Sequence, residues 1–341
     1  MMPDDPHTPP PVAPPVAPPH AAPPHVAMGP GVEFDTIRGL LARWGPLAQQ
    51  LGDDAALLAP TAGYRVVSTD ACVEQVHFWR SWLTPQEVGA RAAAAALSDL
   101  AAMGASAESV LVSFVVPDDW RHDLGAVADG IAGPVRDAGA VIVGGNLSRG
   151  ATFSVTLTVI GQAERPVTRA GARVGDVVVV TGVLGGPGRA LGALLAGRSP
   201  EPWARARFAG PVPRLAEGQW LAAAGATAML DISDGLAADA RHLEAAGNVA
   251  LVIDDARIPC GPGCTAADAL ASGEEYELLA TLPADALERL RAQWPAGHPV
   301  PFTVIGEVRA AAHHEAAHRE AAHPGARDTT RPAGHDHFGT P

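Results

Sequence analysis

Between residues 31 and 310 the chain alternates short apolar runs with longer helical stretches, and glycine, serine or aspartate marks most junctions. This alternation constrains the fold more than any other feature. Apolar runs of a few residues bounded by turn formers read as strands, and the longer stretches between them read as helices. Arg65–Thr69, Ser109–Val116 and Thr152–Ile160 read as strands of the first half, with Ser68-Thr69-Asp70 closing the first of them. Val141–Val143 reads as a short buried strand ending in Gly144-Gly145-Asn146. Thr84-Pro85-Gln86-Glu87 is a capping box with proline at the first helical position, and Gly104 stops the helix after Met103. A second helix is expected from about Trp120 to Ala138.

Arg169–Gly175 looks like the entry to a second unit, followed by the apolar strand Val177–Val180 and a helix around Arg189–Leu195. After a further helix come Ala228–Ile232, Leu236–Ala246 and Ala250–Ile253 as strand, helix and strand. Tyr276–Thr281, a helix near Ala284–Trp294 and Phe302–Val308 complete an α/β pattern. The 341 residues suit two domains, here 31–164 and 165–309. Residues 1–30 are rich in Pro, Ala, Val and His without period and read as a disordered tail. Residues 310–341 read as a linker and closing segment. Their His313, His314, His318 and His323 are taken as a solvated stretch in preference to a metal site.

Composition removes several function classes. The net charge of −13 argues against sequence-independent nucleic-acid binding, which relies on basic side chains neutralising phosphates. All 24 basic residues are arginine. The chain therefore has no Walker A lysine, no Schiff base and no strand lysine of the protein-kinase type. Cys72, Cys260 and Cys264 are too few for a disulfide framework. No apolar run reaches the ~18 residues of a membrane span, and no secretory signal is evident. A cytoplasmic protein without a membrane partner is expected.

The chemistry is concentrated in aspartates beside tight turns: Gly52-Asp53-Asp54-Ala55, Ser68-Thr69-Asp70, Leu97-Ser98-Asp99-Leu100 and Asp231-Ile232-Ser233-Asp234-Gly235, with Asn146 after two glycines. Singly, each is equally a cap or a turn residue. Together they form a set of hard oxygen donors without a Cys/His cluster, which favours Mg²⁺ over zinc. Magnesium shared between carboxylates and substrate phosphates points to phosphoryl transfer. Gly182–Gly188 follows a strand and opens a helix, yet it lacks the dinucleotide-binding order and is interrupted by Pro187, so it reads as a structural turn or a minor phosphate contact and not as a dinucleotide site.

These motifs, with Val73-Glu74-Gln75-Val76-His77-Phe78, Arg169-Ala170-Gly171-Ala172, Gly175-Asp176, Pro213-Arg214, Gly273-Glu274-Glu275-Tyr276-Glu277-Leu278 and Gly334-His335-Asp336-His337-Phe338, resemble the thiamine-monophosphate kinases. The resemblance covers about residues 31–310 and the closing segment. It implies the two-domain fold of the aminoimidazole-ribonucleotide synthetase superfamily. In that fold an N-terminal domain forms a β-barrel shared in a homodimer, and a C-terminal α/β domain packs behind it. By the same resemblance Asp53, Ser68, Thr69, Asp70, Asp99, Asn146, Asp231 and Asp234 are ligands of several Mg²⁺ ions. Gly145, Asn146, Arg169 and Ser233 contact ATP. His77, Glu275 and His335 contact thiamine monophosphate.

The family pattern has aspartate where Asn146 stands, which weakens one metal site. It also has aspartate at Glu275 and often an aromatic near His335. The implied reaction is in-line transfer of the γ-phosphoryl group of ATP to thiamine monophosphate, without a general base. Within the superfamily, the selenophosphate synthetases are disfavoured by the absence of their early cysteine and lysine. The hydrogenase-maturation dehydratase is disfavoured because the chain ends in Phe338-Gly339-Thr340-Pro341 rather than cysteine. The purine-pathway synthetase does not account for the form of Leu97–Ala105 and Gly273–Leu278. A silent nucleotide-binding protein is the alternative from another class. Five retained aspartates, mutually repulsive if they converge, argue against it.

Overall fold

The structure is a computed structural model, and it describes residues 29–31, 56–58 and 63–311. Asp53, His335 and the disorder and linker expected of the two ends fall on residues outside that description.

The first sheet has the order β1-β2-β5-β3-β4. Its strands are Ala56–Leu58 (β1), Tyr64–Val73 (β2), Ser106–Val116 (β3), Val141–Arg149 (β4) and Ser154–Ala163 (β5). All its pairings are antiparallel except β3 with β4. Two helices, Pro85–Ala102 (α1) and Leu124–Asp137 (α2), cover one face. The period of two puts Val155, Leu157 and Val159 of β5 under them.

The capping box forms as expected. Thr84 Oγ1 accepts from the Glu87 amide at 3.2 Å, and the Glu87 carboxylate accepts from the Thr84 amide at 2.8 Å. The middle of α1 is an alanine run, so packing depends on close approach instead of large side chains. A β-carbon at Gly89 would lie 2.0 Å from the Val127 carbonyl oxygen, so only glycine allows α1 and α2 to meet there.

The second sheet has the order β7-β9-β6-β10-β8 and is antiparallel throughout. Its strands are Asp176–Thr181 (β6), Ala228–Asp231 (β7), Val249–Ile253 (β8), Leu278–Pro283 (β9) and Phe302–Ala310 (β10). The apolar run of β6 is explained by burial on both faces. Val178 and Val180 pack with Leu236, Ala240 and Leu243 of helix Leu236–Gly247 (here α6), while Val179 packs with Leu221, Ala224 and Leu290 on the other side. The remaining helices are Gly186–Leu195 (α3), Pro202–Ala209 (α4), Leu215–Ala224 (α5), Ala266–Ala271 (α7) and Ala286–Gln293 (α8). The C-terminal end of α1 belongs to this second core, since Ala101 and Ala102 pack with Leu221 and Met229. One helix therefore connects both cores.

Several expectations need correction. β4 is nine residues long and exposed along its whole length, not short and buried. Among the described residues it is an edge strand, paired with β3 alone. Asn146 consequently lies within the strand instead of ending it. Ser68, Thr69 and Asp70 lie in the interior of β2, because pairing with β5 continues to Val73. The strand expected from Tyr276 begins at Leu278, since Glu274 and Tyr276 adopt positive φ. Two helices, α4 and α5, occupy the stretch read as one. Among the described residues no helix is long and apolar enough to cross a membrane.

Candidate active site at the seam between the sheets

Strand parity sorts the residues of β2. Val66 and Cys72 are buried beneath α1, and Ser68 and Asp70 share their face. The Ser68 hydroxyl donates to Asp99 Oδ2 on α1. Asp70 Oδ1 accepts from the Ala71 amide at 2.8 Å. The Thr69 side chain points to the opposite face, where Oγ1 lies 3.3 Å from the Leu157 carbonyl oxygen and 3.1 Å from Thr158 Oγ1. The structure therefore does not bring the Thr69 side chain to the carboxylates.

Helix α1 carries the connection across the seam. Asp99 meets Ser68 of the first sheet, while the preceding Ser98, fully buried, donates to Asp231 Oδ2 at 2.6 Å. Asp231 ends β7 and is 4% exposed. The chain then turns through Ser233 and Asp234 into α6. Gly235 takes φ 111°, which a side chain would strain.

The loop after α7 secures this turn by backbone pairing. The Glu274 amide donates to the Ser233 carbonyl at 2.6 Å, the Tyr276 amide to the Ile232 carbonyl at 2.9 Å, and the Ile232 amide to the Glu277 carbonyl at 2.7 Å. Glu274 and Tyr276 hold positive φ of 58° and 51°, a cost accepted where the surroundings over-determine the backbone. Arg91 of α1, 2% exposed, forms an ion pair with Glu274 and lies over the Phe208 ring at 4.4 Å.

Electrostatics report the convergence. Burial raises the Tyr276 phenol well above its ordinary value, and the charges of Glu274, Asp70 and Asp231 raise it further. Carboxylates from both halves thus act on one phenol. Asp239, on the first turn of α6, is raised well above the carboxylate range by burial and then by the charges of Asp234 and Asp231, with Arg169 opposing. Arg169 therefore faces this cluster. His242 is lowered to about 3 by burial and by Arg169 and Arg241, so it is neutral, and its Nδ1 accepts from the Gly29 amide at 3.0 Å. Asp234, Asp239 and His242 each place a donor atom within 4.8 Å of the others.

The remaining expected residues are more scattered. His77 Nδ1 accepts from the Val73 amide at 3.0 Å, closing the turn after β2. Gly145 and Asn146 lie on exposed β4, where the Asn146 amide donates to Ser148 Oγ at 2.8 Å. Glu275 is 1% exposed. Its Oε1 accepts from the Gly185 amide at 2.5 Å, at the start of α3, and from Ser272 Oγ at 2.6 Å. Its Oε2 accepts no hydrogen bond among the described residues and lies 3.5 Å from Arg207. Burial raises its carboxyl to about 7 against the hydrogen bonds and Arg207. Ser98, Asp239, Arg91 and Tyr276 were not expected at the site. Ser98 stood beside Asp99 in its motif and Asp239 was a first-turn acid, but neither pattern announces a partner.

This seam defines a class. Residues 52–163 match the family described as AIR synthase related protein, N-terminal domain, and residues 173–319 match its C-terminal domain. A Halobacterium salinarum protein named thiamine-monophosphate kinase is 36% identical over 281 residues, 81% of this chain and 93% of its own. The protein of that name from Escherichia coli is 33% identical over 308 residues, 85% of this chain and 92% of its own. A solved structure titled "AaThiL complexed with AMPPCP and TMP" aligns with a TM-score of 0.74 at 30% identity, covering 82% of this chain and 91% of that one. The chain belongs to the thiamine-monophosphate kinase family.

Proposed function

We propose that this chain transfers the γ-phosphoryl group of ATP to the phosphate of thiamine monophosphate, giving thiamine diphosphate and ADP. The observation that carries the reading is the Ser68–Asp99 and Ser98–Asp231 pairing across the seam, in a chain similar over 82% of its length to a structure holding AMPPCP and TMP.

The donor set suits magnesium. Asp70, Asp99, Asp231 and Asp234 offer hard oxygens; burial and then the charges of Asp234 and Asp231 raise the nearby Asp239 carboxyl, so negative charge gathers where a cation would be favoured. Those four residues would hold the ions with the Ser68 hydroxyl, Asp53 and Asn146. The Thr69 hydroxyl, on the other face of β2, is the weakest member of that set. Bound magnesium would neutralise charge between two polyanions.

The chain's own groups do the positioning. Ser68 orients Asp99, and Ser98 anchors Asp231. Arg169, Ser233, Gly145 and Asn146 contact ATP. His77, Glu275 and His335 contact thiamine monophosphate, and Oε2 is the Glu275 atom with spare accepting capacity. A phosphate oxygen of the monophosphate attacks the γ-phosphorus in line, and the bond to the β,γ-bridging oxygen breaks, with its electron pair leaving on ADP. The attacking phosphate has a second pKa near ~6 and is mostly ionised at neutral pH, so no general base is needed.

The active form is a homodimer formed along β4, whose Val141, Ile142, Val143 and Leu147 are each at least 50% exposed on an open edge. Light scattering should give twice the chain mass; a monomer at micromolar concentration would refute that part. The activity is tested by ADP release with ATP, magnesium and thiamine monophosphate, with the product identified as thiamine diphosphate. Dependence on both magnesium and the monophosphate is expected. ATP binding without turnover would favour a silent nucleotide-binding protein.

A further inference from the structure

The turn that begins α6 is held by a side chain that none of the site motifs includes. Asp239 Oδ2 accepts from three consecutive amides, Ser233, Asp234 and Gly235, each at 3.1 Å. They are the amide of Gly235, the N-cap of α6, and those of the two residues before it; three successive N–H groups aimed at one point make a ready anion site where the turn enters the helix. Here the chain fills that site with a carboxyl oxygen of its own, from a side chain that is 3% exposed and close to Asp231 and Asp234. With the turn's amides taken up by Oδ2, the oxygens left beside it are the Asp234 carboxylate, within 4.8 Å of Asp239 and His242, and that of Asp231, which Ser98 holds from α1.

We propose that Asp239 is a positioning residue that makes this turn a cation site instead of a phosphate-binding helix start. With Oδ2 occupied by three donors, it acts by fixing the backbone that carries Ser233 and Asp234. The neighbouring groups are consistent with this role. Arg169 supplies the opposing charge, while His242, held neutral with Nδ1 accepting from Gly29, adds none. The inference rests on the magnesium reading given above.

The test is magnesium binding to metal-free protein by calorimetry, with amide hydrogen exchange at residues 233–235, for the natural chain, Asp239→Ala and Asp239→Asn. Removing a group that orients ligands typically costs about 10- to 100-fold in metal affinity. Asp239→Ala should therefore weaken magnesium binding at least ~10-fold and accelerate exchange of the three amides. Asp239→Asn, which keeps one oxygen acceptor, should fall between it and the natural chain. At saturating magnesium the KM for thiamine monophosphate should stay within about twofold in both, a split that general loss of structure would not give. Lower thermal stability with unchanged magnesium affinity in both variants would overturn the proposal. If Asp239→Ala does not fold, unchanged affinity in Asp239→Asn overturns it alone. Failure of the natural chain to bind magnesium would instead sink the metal reading, and this inference with it.

Discussion

The Asp231–Gly235 turn and strand β4 both carry expected ligands, yet they are built in opposite ways. The turn is tied down from three directions: by Ser98 from α1, by the backbone of Glu274–Glu277, and by Asp239 from within α6. Among the described residues β4 has one strand neighbour, β3, and every residue of it is exposed. One half of the site is preorganised by its own chain. Gly145 and Asn146 stand instead on an exposed strand that pairs with β3 alone among the described residues. The difference teaches that a turn can be fixed from several elements at once, whereas an exposed strand is fixed by its ladder.

The strongest break of the preorganised half is Asp231→Asn. It removes charge and leaves the buried Ser98 hydroxyl facing an amide. Turnover at limiting magnesium should fall about 10²- to 10³-fold, the scale of losing one preorganised electrostatic group. Steady-state kinetics across a magnesium titration measures this, and normal turnover would remove the seam from the mechanism. Asp70→Asn should behave in the same direction.

Next in size is a pH effect at Glu275. Its folded value of about 7 lies above the ordinary 4.5, so the folded protein holds a proton that the unfolded chain releases. That stability contribution is complete below about pH 4.5 and is lost as pH rises through about 7. The shift corresponds to about 3 kcal/mol at most. Glu275→Gln should flatten the profile of urea-unfolding stability between those values in metal-free protein. An unchanged slope would mean that the carboxyl ionises normally.

A smaller loss is expected where Glu274, in the loop that secures the turn, pairs with Arg91 of α1. Arg91→Met should cost roughly 2 kcal/mol, because the lost ion pair and ring contact are buried on one side while Glu274 can turn to water. Denaturant midpoints would reveal it, and a variant as stable as the natural chain would deny that pairing a role. The smallest effect lies on β4. Asn146→Asp should lower the magnesium concentration for half-maximal activity only a few-fold, roughly 1 kcal/mol, since charge at an exposed position is screened. No change would mean that Asn146 is not a ligand.

Much of this arrangement was legible in the sequence. The capping box at Thr84, the both-faced apolar run of β6 and the Asp-Ile-Ser-Asp-Gly turn follow from hydrogen bonding and periodicity over a few residues. Strand parity alone separates Thr69 from Ser68 and Asp70, although the three read as one motif. Arg91 in an alanine run and Asp239 behind the turn gave no such sign, because their partners lie elsewhere in the chain or in its backbone.

The sequence by itself determined the type and order of most elements and the residue types offered for binding, since those depend on local sterics and on the spacing of apolar side chains; the ends of β2, β4 and β9 did not follow from it. Tertiary structure decided that Ser98 reaches Asp231, 133 residues away, that Glu275 turns inward to the start of α3, and that β4 is left open. Such choices depend on which faces are buried together, and burial is a property of the assembled chain that no local pattern contains.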